Sequence, residues 1–520
     1  LKKKNLKRQR PLKELKKLPN IQSIAFIKKA GVIACFFLIA HISVRATDKV
    51  WLFNPEVQKA YQLVLNLQPE MAMAQLAKVP DKSNELYKMY IVSLSETADV
   101  LITEDPTKIE LLERNFKQRL ESLDKYASGP EVLFLQAELN LQRGFNMLNN
   151  GQEFNAVFAI RRAYNITNEC IKKYPDFIPI KKTYGVLQVM LGSIPEKYAW
   201  FMGLLGMRGS VVVGQKNLGD LRVSKSSLSS EATILLFTVK GFINQQFGEA
   251  AKGMMDYLKE QPESKLGLFV AINMLMKDSQ AETALTLFQT LDKIPQGLSM
   301  YYADYLHGDA LLQKGEYQKA IACYQKFQKG YRSQSFKKDS YYKIGICHWL
   351  LNDPANAKIN FEKAKVTGKE SAEPDKYAAK QLEESYLANQ KLLKARFATD
   401  GGYYDQAALA LQSIAPTELK IKKEQAELLY RKARLAHKLH DYTTAKSYYQ
   451  QCINFTNDNP WYFAANSALQ MGYLAQEQKD YASAKKYFEL ALSYKRHEYK
   501  SSIDSKAKFA LEQIKNAAKG

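Results

Sequence analysis

Five histidines lie beyond the first 46 residues: His307, His348, His437, His440 and His497. The run "HKLH" sets His437 and His440 three residues apart near a predicted helix end, with Asp441 adjacent. Imidazole and carboxylate suit transition metals, but a structural zinc site takes four donors and only two or three converge here. Cys170, Cys323, Cys347 and Cys452 each fall on the apolar side of a predicted helix, where a thiol packs as a small hydrophobe. Cys323 and Cys347 lie on adjacent predicted helices and form the one pair to test as a disulfide. The stretch "YRSQSFKKDSYYK", Tyr331 to Lys343, interleaves aromatic and basic residues as single-strand nucleic-acid platforms do. It spans an inter-helix turn and the start of a helix, so an exposed turn plus core tyrosines account for it better. The chain has no Gly-x-Ser-x-Gly, His-Glu-x-x-His, Walker-type loop or Cys-x-x-Cys. The expectation is a protein that is not an enzyme, with no cofactor and no metal.

The elements behind these residues repeat. Six segments share a small residue, a large apolar residue four positions on, and an apolar or small residue three further. They are Ala250/Met254/Tyr257, Ala284/Phe288/Leu291, Ala320/Tyr324/Phe327, Ala357/Phe361/Ala364, Ala445/Tyr449/Cys452 and Ala484/Phe488/Ala491. Ala407/Leu411/Ile414 fits more loosely. The first four alanines are spaced by 34, 36 and 37 residues. That period predicts stacked helix pairs, each needing a neighbour to bury its apolar face. In the clearest unit, Tyr301 to Gln334, Gly315 ends a first helix and Tyr317, Ala320, Ile321, Tyr324 and Phe327 stripe a second. Gly308 and Ala320 are small where two helices are expected to cross, as are Gly472 and Ala484 in the last unit.

This pattern resembles the tetratricopeptide repeat, with Gly308, Gly345 and Gly472 at its small eighth position and Ala320, Ala357, Ala445 and Ala484 at its twentieth. The resemblance runs from about residue 231 to the C-terminus. It implies an all-α, right-handed superhelix of helical hairpins, about seven units over 231–500, with a capping helix over 501–520. It also implies a concave partner surface at the fifth, ninth and twelfth positions. Those positions carry Tyr305, Asp309 and Leu312; Tyr342, Ile346 and Trp349; Tyr430, Arg434 and His437; Leu469, Tyr473 and Gln476. Tyr305, Asp309, Tyr342, Trp349, Tyr430, Arg434, His437 and Tyr473 are thus the candidate partner-binding residues, and aromatic and charged side chains make plausible hot spots for a peptide. The lysine–asparagine pair by which chaperone-binding repeats hold a terminal carboxylate is absent.

Residues 47–230 are predicted helical without that period. Asn54 reads as an N-cap before Pro55, and two long helices meet near 149–151. The segment 182–220 is apolar and rich in glycine: "KTYGVLQVMLGSIPEKYAWFMGLLGMRGSVVVGQKNLGD". With "FAIRRAYNITNECIKKYP" before it, this region resembles a eukaryotic tetratricopeptide family linked to outer mitochondrial membranes and inclusion-body clearance. Two readings stand: a buried hairpin, or a face that meets a partner or a membrane. Further on, "KVTGKESAEP" over 365–374 reads as a flexible joint, and an extra helix near 375–386 absorbs a 50-residue gap between repeat alanines.

The 520 residues carry a formal charge of +22, half of it in residues 1–46, which hold 12 basic residues and one acidic. There a basic stretch precedes "AGVIACFFLIAHISV" and then "VRA", the layout of an export signal cleaved after Ala46. Lipidation at Cys35 and an uncleaved anchor are the alternatives. The remainder is only mildly basic, and nucleic acid is not expected as a partner. The reading is an exported, non-catalytic scaffold of the periplasm or cell envelope of a diderm bacterium, binding a protein or peptide, with membrane contact through 182–220. The alternative is a surface glycan- or nutrient-binding protein, since one secreted glycan-binding family is built on similar repeats. Of Trp51, Trp200, Trp349 and Trp461, only Trp349 maps to the groove.

Overall fold

The computed structural model describes residues 50–80, 84–194, 203–294, 296–384, 387–415, 417–457 and 459–517. The expected leader over 1–46, with Cys35 and its cleavage point, lies outside the described residues, as does Trp200. Among the described residues the regular elements are helices and no strand occurs. The chain begins with α1 (Pro55–Leu65), α2 (Pro69–Leu76), α3 (Glu85–Thr103) and α4 (Ile109–Leu123). Two hairpins follow, the long pair α5 (Pro130–Asn149) with α6 (Glu153–Lys173), and the shorter α7 (Ile180–Gly192) with α8 (Val211–Arg222).

Then comes the periodic array. Its first four hairpins are α9 (Ser229–Phe242) with α10 (Phe247–Glu260), α11 (Lys265–Lys277) with α12 (Ala281–Asp292), α13 (Tyr301–Lys314) with α14 (Tyr317–Gly330), and α15 (Lys337–Leu350) with α16 (Pro354–Val366). A single helix, α17 (Glu373–Leu382), interrupts them where the alanine spacing widens. The last three hairpins are α18 (Gln390–Gly401) with α19 (Tyr404–Gln412), α20 (Lys422–Lys438) with α21 (Tyr442–Thr456), and α22 (Tyr462–Glu477) with α23 (Tyr481–Ser493). The chain ends in α24 (Lys500–Ala517). The architecture is an all-α helical-repeat superhelix.

Local chemistry sets the helix ends. Asn54 caps α1, its side chain accepting from the Val57 amide at 2.9 Å. Asp353, Asp441 and Asp480 cap α16, α21 and α23 in the same way. Each cap satisfies an orphan amide and contributes about 1 kcal/mol. Gly315 closes α13 with φ +89°, a conformation glycine adopts without strain.

Packing follows the period. All seven repeat alanines, Ala250, Ala284, Ala320, Ala357, Ala407, Ala445 and Ala484, are wholly buried. The glycines of the first helices do a related job with a different partner from the expected one. A Cβ on Gly308 would lie 2.7 Å from the Tyr324 ring, one on Gly345 2.5 Å from Phe361, and one on Gly472 2.5 Å from Phe488. The aromatic four residues after each alanine, not the alanine, fills the glycine's notch. Long helical side chains lean toward the preceding turn, and this carries the ring back over the crossing.

The connection expected to flex is tied down instead. Lys338 donates to the carbonyls of Ala364 and Lys365, and the Lys369 amide donates to Gln334. Asp375, fully buried, accepts from the amides of Phe336 and Asp339. The N-terminal helices are also braced against the array. The Leu298 amide donates to the Leu67 carbonyl at 2.7 Å, and Arg332 pairs with Asp105 at 2.9 Å. Between these regions α3, α5, α7 and α9 bury a polar knot. There Lys182 pairs with Glu231, Tyr90 donates to Glu231, and Thr183 donates to Glu138.

Candidate functional site

The inner face of the superhelix encloses a cavity of about 1870 Å³. First helices supply much of its wall: Phe269, Asn273 and Lys277 from α11, Leu306 and Leu312 from α13, and Phe397 and Asp400 from α18. This is the face the repeat geometry assigns to a partner. The last helix lines it too. In α24 the buried stripe Ile503, Ala507, Ala510 and Ile514 packs on the core of the final hairpins. Ser501, Ser505, Lys508, Glu512 and Lys515 line the cavity. The expected cap therefore has a second role as a wall.

Three of the eight candidate residues line this cavity: Tyr305, Asp309 and Tyr342. The polar groups of Tyr305 and Asp309 are already engaged. The Tyr305 hydroxyl donates to Asp339 at 2.5 Å, and Lys343 bridges Tyr305, Asp309 and Asp339 at 2.7, 2.7 and 2.9 Å. Tyr324 also donates to Asp309 at 2.6 Å. Burial opposes the charge of Lys343, but Asp309 and Asp339 outweigh it and raise its pKa. Tyr342 is buried between Phe361 and Tyr377, and burial raises its pKa well above the usual phenol value.

The other five are not among the residues lining the cavity. Trp349 donates its indole N–H to the Ala388 carbonyl at 2.9 Å. Tyr430 accepts from Asn466 at 2.6 Å, and Arg434 donates to Gln470 at 2.9 Å. His437 shares a hydrogen bond with Tyr449 at 3.1 Å, and burial lowers its pKa to about 4. The Tyr473 ring stands edge-on to Phe488, with centroids 5.3 Å apart. A rule emerges. Tyr305 and Asp309 reach Asp339 and Lys343, 34 residues on; Tyr430 and Arg434 reach Asn466 and Gln470, 36 residues on. These side chains stitch consecutive first helices together. The signal was the repeat period applied to polar partners as well as to apolar ones.

His440 bonds to Tyr442, and among the described residues no group of three metal-ligating side chains occurs. Cys323 and Cys347, the one pair to test as a disulfide, are both free thiols. The segment 182–220 supplies α7 and α8, which press together at glycines. A Cβ on Gly185 would lie 3.1 Å from the Gly214 carbonyl, and one on Gly214 2.6 Å from that of Gly185. α7 is mostly buried, whereas Leu204 and Val212 are 72% and 76% exposed. No helix among the described residues is long and apolar enough to cross a membrane.

Residues 305–329, 338–365, 426–459 and 465–498 match the tetratricopeptide repeat profile. No curated protein matches the chain. Among solved structures, similar chains include the human IFIT1 dimer with PPP-AAAA, at 10% identity, covering 89% of this chain and 99% of that one, TM-score 0.35. Yeast Tom70 aligns at 13% identity over 88% of this chain and 97% of its own, TM-score 0.25. The anaphase-promoting-complex hetero-tetramer Cut9–Hcn1 aligns at 15% identity over 91% and 94%, TM-score 0.27. The buried alanines, notched glycines and four matched segments together identify tetratricopeptide repeats within residues 305–498 of this chain.

Proposed function

We propose that this protein is a non-catalytic scaffold that holds a protein or peptide partner on the inner face of its superhelix. The observation that carries the reading is the cavity of about 1870 Å³ walled by successive first helices. A small-molecule pocket has roughly 300–1,000 Å³, so this space suits a segment of polypeptide. The site of action in this proposal is the periplasm or cell envelope of a diderm bacterium, reached by cleavage after Ala46. The basic–apolar–small pattern of residues 1–46 supports it. Exposed Leu204 and Val212 support membrane or partner contact through 182–220.

Cell fractionation with intact-mass analysis and in situ cross-linking tests the proposal. A soluble species beginning at Thr47 and cross-linked to an envelope protein is the expected result. A species retaining residues 1–46 in the membrane fraction, or lipidated at Cys35, overturns the cleavage. A cytosolic species overturns export altogether.

A further inference from the structure

Arg396 breaks the rule that joins consecutive first helices. It precedes Ala407 by the same interval as Asp309 precedes Ala320 and Arg434 precedes Ala445. Asp309 and Arg434 both reach the next first helix, at Lys343 and Gln470. Arg431, one repeat length beyond Arg396, is already bonded to Glu427 and Tyr462. Arg396 turns back instead. Its Nη1 donates to the Tyr377 hydroxyl at 2.6 Å, and its guanidinium lies 4.9 Å from the centre of that ring. The remaining N–H groups have no partner among the described residues. A guanidinium carries five donors in a rigid fork. Here packing holds the fork in place on the cavity wall and leaves most of it open.

Three phenols converge on the same place, with Tyr377 of α17 as the hub. The Tyr499 ring, just before α24, stacks on it with centroids 5.3 Å apart, and the Tyr342 ring of α15 stands edge-on at 6.4 Å. All three line the cavity beside Arg396. The hydroxyls of Tyr342 and Tyr499 make no hydrogen bond among the described residues. Burial raises the pKa of both well above the usual phenol value, so each keeps its proton. The Tyr377 hydroxyl accepts from Arg396 and has its own proton to give. Segments far apart in sequence thus bring one cation and three O–H donors together, the set that receives an anion.

The surrounding charges select the kind of anion. Glu427 is bonded to Arg431, and Glu498 pairs with Lys380 and Lys423. Asp400, one turn along α18, also lines the cavity and forms no ion pair among the described residues. One guanidinium with one carboxylate nearby suits a single negative charge better than the double charge of a phosphate monoester. A carboxylate also matches the planar fork with two parallel hydrogen bonds. The Phe397 ring, 5.6 Å from the same guanidinium, offers apolar contact to the residue that carries it.

We infer that Arg396, with the hydroxyls of Tyr342, Tyr377 and Tyr499, binds one carboxylate of a peptide lying along the inner face. This rests on the scaffold reading above and specifies the group that the partner presents.

The test uses the purified full chain and four pools of mostly apolar heptapeptides carrying an uncharged fluorophore. One pool has an internal glutamate and an amidated end, and the second an internal glutamine and a free terminal carboxylate. The third has an internal glutamine and an amidated end, and the fourth an internal phosphoserine and an amidated end. Anisotropy is expected to show the first or second pool binding about tenfold or more tightly than the third, the scale of one charged hydrogen bond. Which of the two does so tells a side-chain carboxylate from a chain end. Arg396→Gln is expected to abolish that preference. Tyr499→Phe, which keeps the stacked ring, is expected to weaken it about threefold. Lys508→Gln, an exposed cation elsewhere on the wall, is expected to leave it intact. Equal binding of all four pools, or a preference that survives Arg396→Gln, overturns the site and leaves the scaffold reading standing. Tightest binding of the phosphoserine pool overturns the carboxylate in favour of a phosphate. Absence of peptide binding overturns the inference, and the cross-linking result then judges the scaffold separately.

Discussion

Lys182 on α7 donates to Glu231 on α9 at 2.5 Å, and the two side chains are 2% and 0% exposed. Burial pushes the Glu231 carboxyl up and the Lys182 ammonium down, while their mutual attraction opposes both shifts. Tyr90 adds a further hydrogen bond to Glu231. This pair joins the irregular N-terminal helices to the first hairpin of the array.

Breaking one side of that pair strands the other. Lys182→Met is expected to destabilise the chain by about 3–5 kcal/mol, the usual cost of an uncompensated buried charge. Lys182→Met with Glu231→Gln is expected to recover much of that loss, because no ion then remains in the pair. Urea unfolding of Lys182→Met, Glu231→Gln and the double variant decides it. A double variant as unstable as the sum of the two single changes contradicts the coupling.

The glycine notches give a paired test. A Cβ on Gly472 would meet the Phe488 ring at 2.5 Å, whereas one on Gly219 meets nothing within 4 Å. Gly472→Ala is expected to overpack the crossing and cost about 1–3 kcal/mol. Gly219→Ala, inside α8, is expected to stabilise by about 0.5–1 kcal/mol through helix propensity. Thermal melts of the two variants should move in opposite directions.

Lys506 makes stability depend on alkaline pH. Its pKa falls from 10.5 to about 8, first through burial and then through the charges of Lys277 and Arg434. Between about pH 8 and 10.5 the unfolded chain holds the proton that the folded chain has released, so this group's contribution to stability rises with pH there. Below pH 8 its penalty is complete. Lys506→Met is expected to raise the melting temperature at pH 7, with the gain shrinking toward pH 10.5. A gain of constant size across that range would count against the assignment.

The thiols should react in order of access. Cys323 is half-buried, whereas Cys170, Cys347 and Cys452 are buried. Burial pushes the Cys323 and Cys452 thiols up to about 11 and Cys170 to about 12, so little thiolate exists near neutrality. Peptide mass mapping after alkylation of the folded chain is expected to show Cys323 modified first and the other three only in denaturant. Early loss of Cys347 would mean that α15 opens readily.

The repeat was legible because its spacing constrains volume. Ala250 through Ala484 recur where helices touch, and small residues at those intervals mark close crossings whatever the partner. Asn54 was legible from local chemistry, and the extra helix near residue 375 from the widened alanine spacing. The cavity was less so. The apolar stripe of α24 specifies what Ile503, Ala507, Ala510 and Ile514 cover, but which wall its other face meets is set by the superhelical turn. Lys182 reads as a surface residue until Glu231, 49 residues on, is seen beside it. Tyr305 and Tyr430 read as facing a partner because they hold the fifth position of the repeat; the interfaces they serve are those between repeats.

A solenoid whose units touch only their neighbours behaves as a spring, because each junction can give a little and the pitch changes easily. Here the Leu67 carbonyl is held by the Leu298 amide, and Asp105 by Arg332 across 227 residues of chain. Those ties act as a clasp across the coil. Extension pulls on them before the junctions between Leu67 and Arg332 can yield, so that part of the molecule is stiffer than a coil without such ties. The tied side of the bore is thereby braced, while the wall formed by α17, α18 and α24 lies outside the clasp.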